Sequence, residues 1–180
     1  MRSSGLVRWG ATALMLGGAV WLVLGLSKVF GYLQAIPGRE DVVLLALALL
    51  LTAAGLVGLH ALQGESFGVL GQVGFYIALA SLAARILRDL AFLAGSSALQ
   101  WIVWPSILGL VVGLVVYGLA TLRARVLPRW YGLALIVSMP VSLPLATYGT
   151  ALFGLILMVL GYALWSRKGT TTGQQSARVR

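Results

Sequence analysis

Six apolar stretches, each about as long as a lipid bilayer is thick, fill most of this 180-residue sequence. A helix needs roughly 20 apolar residues to cross a hydrocarbon core of about 30 Å. The stretches are residues 9–30, 42–62, 69–93, 101–122, 130–148 and 150–165. Lipid offers no partner to backbone polar groups, so such stretches must be helical. The pattern predicts an all-α, polytopic membrane protein, a bundle of six transmembrane helices with short loops.

The composition excludes a water-soluble globular chain. Hydrophobic residues make up 60% of the sequence and charged residues 9%, whereas a soluble domain carries about 25% charged residues. The net charge of +9 would point to nucleic acid in a soluble protein. Here the basic residues lie mainly at the ends of the stretches, so we expect lipid bilayer and no nucleic acid as the partner. We expect a single transmembrane domain at 1–165 and a flexible cytoplasmic tail at 166–180.

The 13 Lys and Arg residues predict the orientation, because cytoplasmic loops accumulate positive charge. In the six-helix topology they divide into nine on one side and four on the other. The nine are Arg2, Arg8, Arg123, Arg125, Arg129, Arg167, Lys168, Arg178 and Arg180, and the four are Lys28, Arg39, Arg85 and Arg88. The bias predicts a multi-pass protein of the cell membrane with both termini in the cytoplasm.

A charged cluster in the third stretch is the first candidate site. Arg85 and Asp89 are four residues apart and share a helix face, with Arg88 beside them. One interpretation is an ion pair at the outer interface, with the arginines reaching towards lipid headgroups. The alternative is a cluster that faces a cavity and serves an anion or a proton, as charges inside membranes often do. This alternative gains weight if the third helix continues to Leu93.

A helix break in the fifth stretch is the second candidate site, formed by Ser138, Pro140, Ser142 and Pro144. Each proline removes a backbone donor and frees a carbonyl one turn earlier. The two serines are candidate partners for these freed carbonyls. The break predicts either a kink that shapes the bundle or a binding site of the kind that transporters build from broken helices.

Small residues form a third set of candidates, a helix-packing face at Gly109, Gly113, Gly154 and Gly161. Small residues let membrane helices approach closely and pack by van der Waals contact. These faces serve either packing within the chain or binding of a partner. A related Gly-x-x-x-[Leu/Trp]-polar pattern at Gly58, Gly118 and Gly161 predicts a repeat of two-helix hairpins.

The sequence contains no recognisable catalytic set, so we lean against an enzyme and predict no cofactor. There is no cysteine, and His60 is the only histidine. Without cysteine there is neither a thiolate metal site nor a cysteine nucleophile, and we predict no metal site. The first hypothesis is therefore an accessory or structural subunit, with a membrane protein or a second copy as its partner. The alternatives are a small transporter or channel that uses the two polar sites, and a binder of a lipid or other apolar small molecule.

Overall fold

The computed structural model describes residues 3–31, 38–63, 68–124 and 127–166. Within these ranges the chain forms six α-helices and no β-strand, so the prediction of an all-α fold with six helices is confirmed. The helices are α1 (Ser3–Val29), α2 (Arg39–Gln63), α3 (Gly68–Leu93), α4 (Val103–Ala124), α5 (Arg129–Ser142) and α6 (Ala146–Ser166), with a 3₁₀ turn at Gln100–Ile102 before α4. The predicted tail at 166–180 lies outside the described residues, apart from Ser166.

Five of these helices are long and apolar enough to cross a membrane. The exception is α5, whose 14 residues span only about 21 Å. The predicted fifth stretch, 130–148, is therefore wrong at its far end, and the sixth helix begins at Ala146 rather than at residue 150. The physical reason is Pro144, which has no N–H to donate to the carbonyl of Pro140. Pro140 itself lies within the last turn of α5 and does not end the helix.

The end of α3 is set by a glycine. The α-helix continues past the charged cluster to Leu93, and Gly95 then adopts a φ of +84°. The N–H of Ser96 donates to the carbonyl of Ala91, and that of Gly95 donates to Phe92. This pair of bonds is a Schellman motif, which needs a left-handed residue that glycine supplies without strain. Arg85 therefore lies within the helix, about 12 Å before its last residue.

The six helices form a closed ring in which neighbours along the chain pack side by side and α6 returns to α1. Successive helices run antiparallel, so the bundle has two ends. At the Arg8 end, the Arg8 guanidinium lies 5.4 Å from the centre of the Trp165 ring. At the Arg39 end, where α2 begins, the Arg39 guanidinium donates a hydrogen bond of 3.2 Å to the carbonyl of Leu93. These two names are used below for the ends of the bundle.

The packing divides the ring into two halves of three helices. α1 packs closely on α2 and α6, and α4 packs closely on α3 and α5, whereas the contacts of α2 with α3 and of α5 with α6 are less extensive. This pattern of close and less extensive contacts repeats when each helix is replaced by the helix three places further along the chain. It does not repeat for a shift of two places. The arrangement therefore fits a repeat of three helices, which differs from the predicted repeat of two-helix hairpins.

Glycines bring the helices of each half together. A Cβ atom at Gly10 of α1 would overlap the backbone of Gly58 on α2, and one at Gly118 of α4 would overlap the carbonyl oxygen of Gly132 on α5. At such points no side chain separates the two backbones, which is the geometry that small residues permit between membrane helices.

Candidate functional site

A cavity of about 320 Å³ lies between the two halves, near the Arg39 end of the bundle. Every helix contributes to its lining, with Trp21, Leu49, Arg85, Ser106, Ser142 and Phe153 as one residue from each. The turn between α5 and α6 contributes Leu143. Because α5 ends early at Ser142, this turn forms part of the cavity wall. Two of the three predicted sites, the charged cluster and the helix break, therefore meet at one cavity.

The charged cluster contains one carboxylate and two guanidinium groups. Asp89 is completely buried, and its Oδ1 lies 2.8 Å from Nη1 of Arg88 and 3.6 Å from Nε of Arg85. The closer partner is thus Arg88, whereas the sequence spacing predicts Arg85. Nε of Arg85 and Oδ2 of Asp89 make no hydrogen bond within the described residues. One negative charge is shared between two positive charges, so the cluster carries a net positive charge.

The two arginines of the cluster point to different environments. Arg88 donates to Oε1 of Gln100, at the start of the 3₁₀ turn, and its guanidinium lies 5.4 Å from the centre of the Phe92 ring. These contacts hold the Arg88 side chain at the Arg39 end of the bundle. Arg85 lines the cavity. The cluster thus combines features of both predictions, since one arginine is held near the end of the bundle and the other faces the interior.

The serines of the helix break satisfy backbone carbonyls, although not the expected ones. Ser138 donates to the carbonyl of Leu135 at 2.8 Å, and Ser142 donates to the carbonyl of Ser138. The sequence predicts bonds to the carbonyls of Ile136 and Pro140, which lie one turn before Pro140 and Pro144. Both serines are buried, and Ser142 also lines the cavity. The break therefore ends α5 at the cavity wall.

The predicted helix-packing face lies against helices of the same chain. A Cβ atom at Gly109 or Gly113 of α4 would meet Ser81 or Ala78 of α3. Similarly, Gly154 and Gly161 of α6 lie against α1, at Gly18 and Met15. These glycines are thus occupied by contacts inside the bundle, and they offer no open surface to a partner in this arrangement.

Two further cavity residues, Lys28 and Trp21, do not belong to the three predicted sites. Lys28 lies in the last turn of α1 and lines the cavity together with Arg85. Trp21 lies in the middle of α1, and its Nε1 donates a hydrogen bond of 3.1 Å to Oγ1 of Thr52 on α2. The position of Trp21, mid-span rather than at an interface, is the only signal of this role in the sequence.

Near the Arg8 end of the bundle, aromatic and polar side chains of α2, α3 and α4 pack together in a layer. The His60 ring stacks on Phe75 at 4.1 Å between centroids, and Tyr117 lies beside both rings. The hydroxyl of Thr121 donates to the carbonyl of Tyr117 at 2.9 Å, and Oε1 of Gln63 lies 3.5 Å from the same hydroxyl oxygen. Thr121 and Gln63 are both buried. His60 thus belongs to this layer and not to the cavity.

Comparisons with protein-family models, with curated proteins and with solved structures gave no match. Function must therefore be argued from the cavity itself. The cavity combines a wall of leucine, isoleucine and aromatic side chains with the two cationic residues Lys28 and Arg85. Such a lining suits a small molecule that has both an apolar and a polar part.

Proposed function

We propose that this protein is a small transporter of the cell membrane, which admits a small molecule into the central cavity from outside the cell. The observation that carries the proposal is the cavity at which all six helices meet, lined by both Arg85 and the end of the broken helix α5. The proposal includes six membrane spans, with the Arg8 end in the cytoplasm and the Arg39 end outside.

The outer surface of the bundle supports a lipid environment. Large apolar side chains are exposed along the helices, among them Leu47, Leu108, Val112, Leu133 and Leu155. A surface this apolar on a water-soluble monomer would lead to aggregation, whereas lipid solvates it. The short helix α5 completes its span with the help of the turn at 143–145, which is tolerated because that turn borders a cavity.

Charge and aromatic side chains support the orientation. The sequence assigns nine of the 13 basic residues to the Arg8 side of the six-helix topology and four to the Arg39 side, the bias that the positive-inside rule associates with the cytoplasm. Exposed tryptophans lie near both ends, with Trp9 and Trp165 near the Arg8 end and Trp101 and Trp104 near the Arg39 end. Tryptophan favours the two membrane interfaces, so exposed tryptophans near both ends support a bundle that spans a bilayer.

The two halves of the bundle support a transport mechanism. Successive helices alternate in direction, so each helix runs antiparallel to the helix three places further along the chain, which belongs to the other half. The second half therefore has the opposite orientation to the first. Many secondary transporters consist of such inverted halves, which rock around a central site between broken helices. The cavity lies near the Arg39 end, and the packed layer of His60, Phe75 and Tyr117 lies near the other end, where it would act as the inner gate. Opening of this layer would release a molecule into the cytoplasm.

Flux into liposomes tests the proposal. Purified protein is reconstituted, and the uptake of radiolabelled benzenesulfonate and phenyltrimethylammonium is compared with that of protein-free vesicles. We expect uptake of at least one probe above that of protein-free vesicles. Thr150→Trp should abolish this uptake, because Thr150 lines the cavity and an indole would fill it.

The matched control is Leu155→Trp, which places the same side chain on the lipid-facing surface of α6 and should leave uptake unchanged. Uptake of neither probe above that of empty vesicles would contradict the proposal. So would uptake that is insensitive to Thr150→Trp.

A further inference from the structure

We infer that the cavity binds a small anion with an apolar body, an inference that rests on the proposed function and names its substrate class. The two charged residues that line the cavity, Lys28 and Arg85, are both cationic. Among the described lining residues no carboxylate is present. A cation would be repelled from this site, and a neutral molecule would leave its charges uncompensated.

The nearby carboxylate does not neutralise the site. Asp89 lies against both Arg85 and Arg88 and is closest to Arg88. Counting Lys28, the four groups carry three positive charges and one negative charge, a net charge of +2. Excess positive charge beside the largely buried Arg85 is costly, and a bound anion would offset that cost. Nε of Arg85 faces Asp89, but Arg85 lines the cavity and its guanidinium carries four further N–H donors.

Three of the four hydroxyl groups that line the cavity are engaged within their own helices, so Thr150, Lys28 and Arg85 are left as donors. Ser81, Ser106 and Ser142 each donate their hydroxyl proton to a carbonyl of their own helix. The indole N–H of Trp21 is likewise bonded to Thr52. These groups therefore have no proton left to offer an anion, whereas Lys28 and Arg85 carry several donors each.

The apolar side chains of the cavity wall indicate the size and polarity of the organic group that an anionic ligand would carry. Leu49, Leu82, Leu110 and Phe153 line the cavity, and all four are buried. The volume of about 320 Å³ is at the small end of the range for ligand sites. The lining thus fits a compact organic anion, such as an aromatic or short aliphatic carboxylate or sulfonate.

Cysteine reactivity tests this inference without requiring flux, because the natural chain contains no cysteine. Thr150→Cys in phosphatidylcholine vesicles is treated with two methanethiosulfonate reagents of similar size, the anionic sulfonatoethyl and the cationic trimethylammonioethyl compound. Rates are divided by those for a free thiol in solution. We expect the anionic reagent to be favoured about tenfold, because positive charge in a cleft concentrates anions.

Two further variants locate the source of this preference. Lys28→Gln and Arg85→Gln, each combined with Thr150→Cys, should reduce the preference, and Lys28 is exposed so that its substitution is compatible with folding. The control Arg39→Gln removes a positive charge at the same end outside the cavity lining and should leave the preference intact.

The outcomes separate the inference from the proposed function. Equal normalised rates for the two reagents would overturn the anion site while leaving a water-accessible cavity. Reaction with neither reagent would contradict the accessible cavity on which both rest. Vesicles that contain phosphatidylglycerol distinguish two sources of the same anion: a slower reaction assigns the site to a lipid headgroup, and an unchanged rate assigns it to a soluble anion.

Discussion

Arg88 donates a hydrogen bond of 2.8 Å to the carboxylate of Asp89, the next residue along the same helix. Consecutive residues of a helix do not normally face each other, but the long arginine side chain reaches back to its neighbour. As a result the completely buried Asp89 lies between Arg88 and Arg85. This single carboxylate is therefore central to the stability of α3 at the cavity.

Asp89→Asn should strongly destabilise the protein. It removes the only carboxylate that faces the two guanidinium groups within the described residues, and loss of one partner of a buried ion pair costs about 3 kcal/mol. Thermal unfolding in detergent, followed by circular dichroism, measures the loss. The control is Glu40→Gln, an exposed acid at the start of α2, which should have little effect. Equal melting temperatures for Asp89→Asn and the wild type would show that the cluster does not stabilise the bundle.

Gly10→Ala should weaken the contact between α1 and α2. The new methyl group would overlap the Cα of Gly58, and overpacking of this kind costs about 2 kcal/mol. Gly5→Ala is a matched control on the same helix, because a Cβ atom there meets nothing within 4 Å. Alanine favours a helix more than glycine does by about 1 kcal/mol, so this control should be neutral or slightly stabilising. If both variants unfold at the same temperature, the close approach of the two helices is wrong.

Thr52→Val should loosen Trp21 at the cavity. Valine has the shape of threonine but leaves the indole N–H of Trp21 without its acceptor, at a cost of about 1 kcal/mol. The conservative variant Thr52→Ser retains a hydroxyl and should restore most of the stability. Chemical unfolding in mixed micelles measures both variants against the wild type. Identical losses for valine and serine would mean that the packing of the threonine methyl group, and not the hydrogen bond, is what matters.

The periodicity and length of the apolar stretches were sufficient to predict six helices, because burial in lipid imposes one kind of backbone. They could not locate the end of α5, since Leu143 and Leu145 continue the apolar pattern across the turn. The backbone constraint at Pro144 decides that boundary. A hydropathy pattern does not reveal this constraint, although Pro144 itself is visible in the sequence.

The cavity could be predicted only in fragments. Arg85 stood out because ionisable residues are rare inside membrane helices, and the residues around Pro140 stood out because proline removes a backbone donor. Their meeting at one cavity depends on the ring order of the helices, which the short-range pattern does not contain. Lys28 lies more than fifty residues from Arg85 in the sequence, so only the ring arrangement of the helices around the cavity makes them part of one site.

The glycine faces illustrate the same limit. A Gly-x-x-x-Gly pattern predicts close helix contact without naming the partner. In this bundle Gly113 lies against Ala78, and Gly154 lies against Gly18. Neighbouring helices of the same chain cover both glycine faces. The role of accessory subunit therefore stays a prediction, and no surface of the bundle is assigned to a partner.

The central claim is that a membrane-embedded bundle opens its cavity to the outside of the cell. The most direct measurement places a single cysteine at Thr150, at Ser97 beyond the end of α3, or at Ser166 at the end of α6, and treats intact cells with a membrane-impermeant thiol reagent. We predict that Thr150→Cys and Ser97→Cys react in intact cells, whereas Ser166→Cys reacts only after the cells are opened. Reaction of Ser166→Cys in intact cells, or reaction of Thr150→Cys only after opening, would contradict the account.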